Sequence, residues 1–276
     1  MGKIIALMLV VLVVGAFYTF IGLGMWFPKT ISEYGAPIDA QFNRTLLVVA
    51  VAFTLAQLAL GYAVFKFGRK GNERAVYSHG SDKLEMGWTV VTAIVFVFIA
   101  VLGQRVWARL HLNAAPADAV KIEVVAQQFQ FNFHYSGKDG VFGRTEPRFI
   151  SDSALNYVGL DPSDAAAKDD AQVGTLVVPL NRPVELTLRS KDVIHSFFVP
   201  VLRIKQDTVP GMAIKIHFTA DTEGKYEIPC AELCGQLHYN MKGTMLVVPS
   251  EEYDALTAMT EDKFKERITE LSQKYQ

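Results

Sequence analysis

The sequence predicts an α-helical transmembrane anchor joined to an all-β outer domain, a Greek-key β-barrel followed by a C-terminal helix. Two patterns carry this prediction. The first 110 residues contain three apolar stretches long enough to cross a bilayer as helices. After residue 119 apolar residues instead alternate with polar ones, the period of two that is typical of half-buried strands. Half of the 276 residues are hydrophobic, which agrees with a chain that is partly embedded in a membrane.

The membrane anchor is predicted over residues 1–110, with helices at about 4–27, 46–65 and 86–103. The first stretch has no charged residue and, at about 1.5 Å per residue, would span roughly 36 Å. Lys3 followed by an apolar run also describes a signal peptide. The run is longer than a usual signal, however, and no small-residue cleavage site precedes Trp26. We therefore expect a retained helix.

Loop charges predict the orientation of the anchor. The connection between the second and third helices carries the basic residues Lys66, Arg69, Lys70, Arg74 and Lys83. The connection after the first helix sets Lys29 against two acidic residues, Glu33 and Asp39. Basic loops face the cytoplasm. We therefore expect the chain after Arg105 to lie on the periplasmic or outer face of a bacterial plasma membrane.

The net charge of −1 conceals an asymmetry between the two halves of the chain. Residues 1–109 carry ten Lys and Arg against five Asp and Glu, a net charge of +5, and residues 110–276 carry seventeen against twenty-three, a net charge of −6. A basic membrane portion with an acidic outer portion does not suggest nucleic acid as a partner. The acidic portion instead favours a cationic protein.

The outer domain is predicted to begin after a linker at residues 111–119 and to span residues 120–249. The expected strands are Val120–Gln127, Gly174–Pro179, Pro183–Arg189, Ile214–Thr219, Tyr226–Ile228 and Gly243–Val248. Their number and alternation favour a barrel of the cupredoxin type. Residues 250–276 form a helical extension that starts at Ser250 and whose apolar positions favour packing over chemistry.

A twelve-residue segment near the end of the barrel is rich in metal-binding side chains, Cys230-Ala-Glu232-Leu-Cys234-Gly-Gln-Leu-His238-Tyr-Asn-Met241. Soft sulfur with imidazole suits copper, and Cys234, His238 and Met241 have the spacing of a blue-copper loop. His195 in Asp192-Val-Ile-His195 would supply a second imidazole from a neighbouring strand. A second thiolate at Cys230 predicts a binuclear copper centre. A disulfide between the two cysteines is the alternative in an exported chain, but it explains none of the other side chains.

These residues resemble the CuA centre of cytochrome c oxidase subunit II, and the resemblance covers roughly residues 83–248. It runs in the family's order through Lys83-Leu-Glu85-Met-Gly-Trp88-Thr89, Gln127-Gln128-Phe129-Gln130-Phe131-Asn132-Phe133, Asp192-Val-Ile-His195-Ser-Phe and Lys205-Gln-Asp207-Thr-Val-Pro210-Gly211. It implies that copper is bound by the side chains of His195, Cys230, Cys234, His238 and Met241 and by the backbone carbonyl of Glu232. The Glu232 carboxylate would face a magnesium or manganese site shared with subunit I.

The resemblance also implies a function, that of subunit II of a haem–copper terminal oxidase. Such a subunit accepts electrons from a c-type cytochrome and relays them to haem in subunit I, where oxygen is reduced to water, and it is held in the membrane beside other subunits. Glu85 would guard the entrance of a proton path into subunit I; an interfacial charge is the alternative. Many relatives place Trp where this chain has Phe129 and Phe131, which leaves the identity of the electron donor open.

Three other functions share part of this pattern. Quinol oxidase subunit II shares the anchors but lacks the two cysteines, and nitrous oxide reductase joins a similar loop to a large propeller for which this chain has no room. A membrane-tethered copper electron-transfer or copper-carrier protein outside an oxidase would need neither Glu85 nor the motif from Lys205 to Gly211. A separate acidic excursion at residues 136–172 is either a solvated loop or a docking surface.

Overall fold

The computed structural model describes residues 2–23, 27–68 and 77–275, which fall into two compact units. A helical unit lies within residues 1–28 and 37–107, and a β-rich unit lies within residues 29–36 and 108–276. The predicted anchor had included residues 29–36. These residues instead pack with the β-rich unit, which we call the outer domain.

Among the described residues, three helices are long and apolar enough to cross a membrane. Helix α1 spans Gly2–Phe17 and continues as a π-helical turn, Tyr18–Gly22. Helix α2 spans Gly35–Phe67 and α3 spans Asp82–His111. Both exceed the predicted 46–65 and 86–103, because helical hydrogen bonding does not stop where hydrophobicity does. At about 1.5 Å per residue, α2 is roughly 50 Å long against a hydrocarbon core of about 30 Å. Residues 24–26 of the first predicted span and Arg69, Lys70 and Arg74 lie outside the described residues.

The outer domain contains ten described strands, which form three sheets. The strands are β1 Val120–Gln127, β2 Gln130–Tyr135, β3 Ala171–Val173, β4 Thr175–Pro179, β5 Pro183–Ser190, β6 His195–Val199, β7 Ile204–Thr208, β8 Ile214–Thr219, β9 Gly224–Pro229 and β10 Lys242–Val248. The sheet orders are β3-β2-β1-β5-β8, β4-β10-β9 and β6-β7. Neighbouring strands are antiparallel except β1 with β5 and β4 with β10, which are parallel. This is the predicted Greek-key architecture of the cupredoxin type.

Periodicity identified the strands whose two faces differ in burial. In β5, Val184, Leu186 and Leu188 are fully buried, and the residues between them are not. Strand β6 was absent from the predicted set because nearly all its residues are buried, so hydrophobicity does not alternate along it. Strand β2 was also absent, although polar and apolar residues alternate along Gln130–Tyr135. Strand β3 is only three residues long and β7 is mostly polar, so neither has a recognisable pattern.

The segment before α2 is fastened to the outer domain by backbone hydrogen bonds. The Ile31 N–H donates to the Val201 carbonyl at 2.9 Å, and the Asp221 N–H donates to the Ile31 carbonyl at 2.9 Å. The buried Ser32 hydroxyl donates to the Leu202 carbonyl at 2.8 Å. Residues 29–36, the last two of which begin α2, therefore belong structurally to the outer domain.

The acidic excursion folds back onto the domain instead of forming a uniformly solvated loop. The buried Asp161 carboxylate binds Arg144 and accepts hydrogen bonds from the N–H and hydroxyl of Ser163. The buried Asp170 carboxylate binds His134 Nε2 at 2.7 Å. Asp161 and Asp170 therefore cannot contribute to a docking surface made of exposed charges. Composition alone does not distinguish a carboxylate that faces water from one that folds inward.

The C-terminal extension forms two helices instead of one continuous helix. Helix α4 spans Ser250–Thr257 and α5 spans Glu261–Lys274. The expected apolar positions pack against the barrel: Leu256, Phe264, Ile268 and Leu271 are buried, and Met259 between the helices is partly buried. This region therefore contributes to the core.

Candidate metal centre

The segment Cys230–Met241 forms a loop between β9 and β10 that is closed at its base. The Cys230 N–H donates to the Met241 carbonyl at 3.0 Å, and a single helical turn covers His238–Asn240. Gly235 adopts φ +140°, a conformation that side chains disfavour. A Cβ atom there would lie 2.7 Å from Gln128 Nε2 and 3.0 Å from the Phe129 ring. Glycine therefore lets the loop lie directly against the β1–β2 turn.

The loop brings its donor atoms around the two thiols. Cys230 Sγ and Cys234 Sγ are 3.9 Å apart. Cys234 Sγ lies 3.5 Å from His238 Nδ1 and 3.7 Å from Met241 Sδ, and Cys230 Sγ lies 3.3 Å from the Glu232 carbonyl oxygen. Both cysteines and Met241 are buried, whereas the Glu232 side chain is exposed.

His195 reaches this cluster from a different part of the sequence. His195 is the first residue of β6. Phe197 in the same strand forms an antiparallel backbone β-bridge with Cys230. One side-chain nitrogen or sulfur atom from each of His195, Cys230 and Cys234 lies within 4.8 Å of the others. His195 Nε2 hydrogen-bonds Asp192 Oδ1 at 2.8 Å, and no described residue hydrogen-bonds the buried Nδ1. The carboxylate favours a proton on Nε2, which leaves the lone pair of Nδ1 available to a metal.

Two ionisable groups at the site have shifted pKa values. Burial and the neighbouring Cys230 raise the pKa of the Cys234 thiol to about 11. A metal ion would displace the thiol proton, because thiolate is the ligand form of cysteine. Burial acts to raise the pKa of Asp192, but hydrogen bonds from the Gln128 N–H, His195 and the Val193 N–H outweigh it and lower that pKa. Asp192 is therefore an ionised partner for His195.

The donor set fits copper and does not fit a structural disulfide. Two sulfurs at 3.9 Å are well beyond the S–S bond of about 2.05 Å, and both cysteines are free. Thiolate, imidazole and thioether together are the ligands that copper prefers. The buried Nδ1 of His195, which no described residue hydrogen-bonds, is available as a further donor. All six predicted ligand residues thus lie in one cluster.

The two phenylalanines singled out in the sequence have different environments. Phe129 is partly exposed and lies against the loop at Gly235. Phe131 is only 2% exposed and packs edge-to-face on Phe197, with ring centroids 6.1 Å apart. Only Phe129 is therefore placed to contact another protein.

The remaining motif residues divide between the two units. Glu85 is exposed in the first turn of α3, in the helical unit. In the outer domain, Lys205 Nζ and Asp207 Oδ1 form a partly exposed ion pair at 2.8 Å. In the sequence Gln128 stands out only as part of a motif, with no role of its own. In the structure its side chain contacts the ligand loop.

The chain matches known proteins along most of its length. The family described as cytochrome c oxidase subunit II, periplasmic domain, matches residues 121–248, and the corresponding transmembrane domain matches residues 19–106. A Bradyrhizobium diazoefficiens protein named alternative cytochrome c oxidase subunit 2 is 34% identical over 91% of this chain and 90% of its own length. The chain belongs to the cytochrome c oxidase subunit II family. It is therefore a membrane-anchored subunit of a cytochrome oxidase, with its copper domain outside the membrane.

Other relatives carry the same description. Cytochrome c oxidase subunit 2 of Cereibacter sphaeroides is 31% identical over 84% of this chain and 78% of its own length. The solved periplasmic domain of subunit II of cytochrome oxidase from Bradyrhizobium japonicum is 25% identical to this chain, with a TM-score of 0.39. The match covers 55% of this chain and 99% of the solved domain. Membership of the family implies copper at the thiol cluster.

Proposed function

We propose that this chain is the electron-accepting subunit of a haem–copper terminal oxidase. It takes electrons from a c-type cytochrome at its outer domain and passes them to haem in subunit I, where oxygen is reduced to water. The observation that carries the proposal is the convergence of two free, buried thiols with His238, Met241 and His195, whose Nδ1 no described residue hydrogen-bonds. When bound, a pair of copper ions supplies a carrier for one electron at this position.

The position of each donor atom supports a specific role for it. Cys230 and Cys234 would supply the thiolates, and His195 and His238 would each supply Nδ1. Met241 would supply the thioether sulfur and Glu232 its backbone carbonyl. The exposed Glu232 carboxylate is free to extend toward subunit I, where we propose a shared magnesium or manganese ion.

The donor is proposed to dock over Phe129. This ring is partly exposed and lies against the ligand loop, so a partner that covers it comes close to the thiol cluster. Around the loop the side chains of Leu233, Leu237 and Tyr239 are also exposed. The net charge of −6 on residues 110–276 complements a cationic cytochrome.

The membrane portion is proposed to admit protons and to fix the location. Glu85 stands at the start of α3, where we propose that it guards a proton path into subunit I. The positive-inside rule, applied to the basic α2–α3 connection, puts that end of α3 at the cytoplasm. The outer domain would then face the periplasmic side of a bacterial plasma membrane.

Metal analysis with electron spin resonance tests this function. The copper-loaded chain should bind a pair of copper ions, and its hyperfine pattern should show one unpaired electron shared by two nuclei. Cys230→Ser should leave at most a mononuclear site. A single copper ion in fully loaded wild-type protein would contradict the binuclear assignment, and rapid loss of copper to a mild chelator would favour a copper carrier.

A further inference from the structure

A hydrogen-bonded connection through Gln128 joins the ligand loop to the segment that carries His195. We infer that Gln128 is a positioning residue for the metal centre, which fixes the peptide group that follows Cys234. The inference rests on the proposed function in that the loop holds copper. Neither the copper ligands nor the donor surface includes the side-chain amide of Gln128.

The connection consists of short contacts between residues far apart in sequence. Gln128 Nε2 donates to the Cys234 carbonyl at 2.6 Å, across 106 residues. The Gln128 backbone N–H donates to Asp192 Oδ2 at 2.8 Å, and the other oxygen of Asp192 binds His195 Nε2 at 2.8 Å. One residue of the β1–β2 turn therefore contacts a cysteine ligand with its side chain and the carboxylate that orients a histidine ligand with its backbone.

The Cys234–Gly235 peptide needs an external restraint. Glycine has the widest backbone freedom of any residue, and Gly235 adopts φ +140°, so local sterics do not fix the peptide's orientation. Rotation of this peptide would shift Cys234, whose Sγ is in contact with Cys230, His238 and Met241. The Gln128 amide supplies the restraint, because it binds the carbonyl oxygen of that same peptide.

The position of Gln128 separates its role from general fold stability. Its side chain is exposed, so its truncation removes no buried apolar surface and leaves no cavity in the core. Gln130, two residues further along, provides a matched control. Its Nε2 donates to Asn132 Oδ1 at 3.1 Å, within its own strand.

The test compares Gln128→Ala, Gln128→Glu and Gln130→Ala in the detergent-solubilised full-length chain. The glutamate substitution keeps the length of the side chain but removes the amide donor at neutral pH, so Gln128→Glu and Gln128→Ala should behave alike. Both should accelerate copper removal by a chelator about fivefold, the effect of losing one ordinary hydrogen bond, and should shift the visible absorption of the copper centre. Gln130→Ala should match the wild type in both measurements.

A second measurement requires no copper. In the metal-free chain, alkylation of Cys234 by a maleimide reports how often the loop opens, because the thiol is buried when the loop is closed. Gln128→Ala should raise this alkylation rate about fivefold over wild type and Gln130→Ala. Equal rates in all three proteins would overturn the inference. If the wild type bound no copper pair, the proposed function would fail while the alkylation rates still decided the role of Gln128.

Discussion

At the residue scale, the chemistry of the centre depends on which atom of each side chain is left without a partner. Asp192 hydrogen-bonds Nε2 of His195, and no described residue hydrogen-bonds the buried Nδ1 of that ring. Phe129 and Phe131 are likewise similar in sequence and different in the structure, because only the first is at the surface.

Phe129→Ala should slow electron transfer from a c-type cytochrome about tenfold, since an aromatic residue at the centre of a docking surface contributes about 1.4 kcal/mol or more. Stopped-flow reduction of the copper-loaded chain measures this rate. Asp118→Asn, which removes one exposed charge, should have a smaller effect. A transfer rate that is insensitive to Phe129 would mean that electrons enter elsewhere, most simply from a cytochrome held permanently beside this chain.

His134 makes the stability of the outer domain depend on pH. This buried ring lies between Glu123 Oε2 at 3.0 Å and Asp170 Oδ2 at 2.7 Å, with the Phe142 ring packed against it and Arg189 3.4 Å from Glu123. Burial acts to lower the pKa of His134, but its hydrogen bonds to Asp170 and Glu123 outweigh burial and raise it. Burial acts to raise the pKa of Glu123, yet His134 and Arg189 lower it overall.

The signs of these two pKa shifts fix the pH window. The contribution of His134 is fully present below its ordinary pKa of 6.5 and is lost as pH rises through the raised value in the folded state. The stabilising contribution of Glu123 is fully present above its ordinary pKa of 4.5. It is lost as pH falls through the lowered pKa in the folded state. Between those limits, His134→Gln should reduce the free energy of unfolding by about 3 kcal/mol, the usual cost of breaking a buried pair. Urea unfolding followed by circular dichroism measures it; a difference that grows above pH 6.5 would contradict the assignment.

At the element scale, the barrel delivers ligands from two places to one end. Strands β9 and β10 close the ligand loop, while β6 supplies His195 and is joined to that loop through Phe197 and Cys230. Strands on both sides restrict movement of the donors, which would limit reorganisation in the proposed electron transfer. The helical extension supports this frame, because the Phe264 ring of α5 packs 5.1 Å from the ring of Tyr135 in β2.

Phe264→Ala should therefore destabilise the outer domain by about 3 to 5 kcal/mol, the range for deleting a buried aromatic ring. Lys263→Ala, an exposed change in the same helical turn, should stay within about 0.5 kcal/mol of the wild type. Urea unfolding of the two variants measures both values. Comparable stabilities would show that α5 is an appendage and not part of the core.

At the scale of the whole molecule, a basic anchor and an acidic outer domain suit different partners. Electron transfer from the cytochrome should slow as salt rises from about 0.01 to 0.15 M, because the Debye length falls from roughly 30 to 8 Å. The acidic charge on residues 110–276 would set the rate of encounter in this way. Stopped-flow kinetics over that salt range provides the measurement, and a flat profile would argue against a soluble cationic donor.

The two units should also respond separately to mutation. Glu85→Ala should slow oxidase turnover in the assembled complex without changing the copper spectrum, because Glu85 lies in the helical unit and the proposed ligands lie in the outer domain. Asp82→Ala, which removes the other acidic residue of the first turn of α3, is the matched control and should leave turnover unchanged. Oxygen uptake of the two variants distinguishes a proton path from an interfacial charge.

The sequence by itself determined the membrane helices, the alternating strands and the contiguous ligand loop, because each is a pattern among neighbours along the chain. Helix ends shifted, and β3, β6 and β7 were missed where hydrophobicity did not mark them; β2 was missed although its residues alternate. Only the tertiary structure decided which nitrogen of His195 Asp192 hydrogen-bonds, which phenylalanine is exposed and which aspartates fold inward. The tertiary structure also produces the hydrogen bond between the Gln128 side chain and the Cys234 carbonyl, 106 residues away. Such contacts depend on which surfaces meet when the sheets pack, and hydrophobic periodicity gives the face of a residue but not its partner.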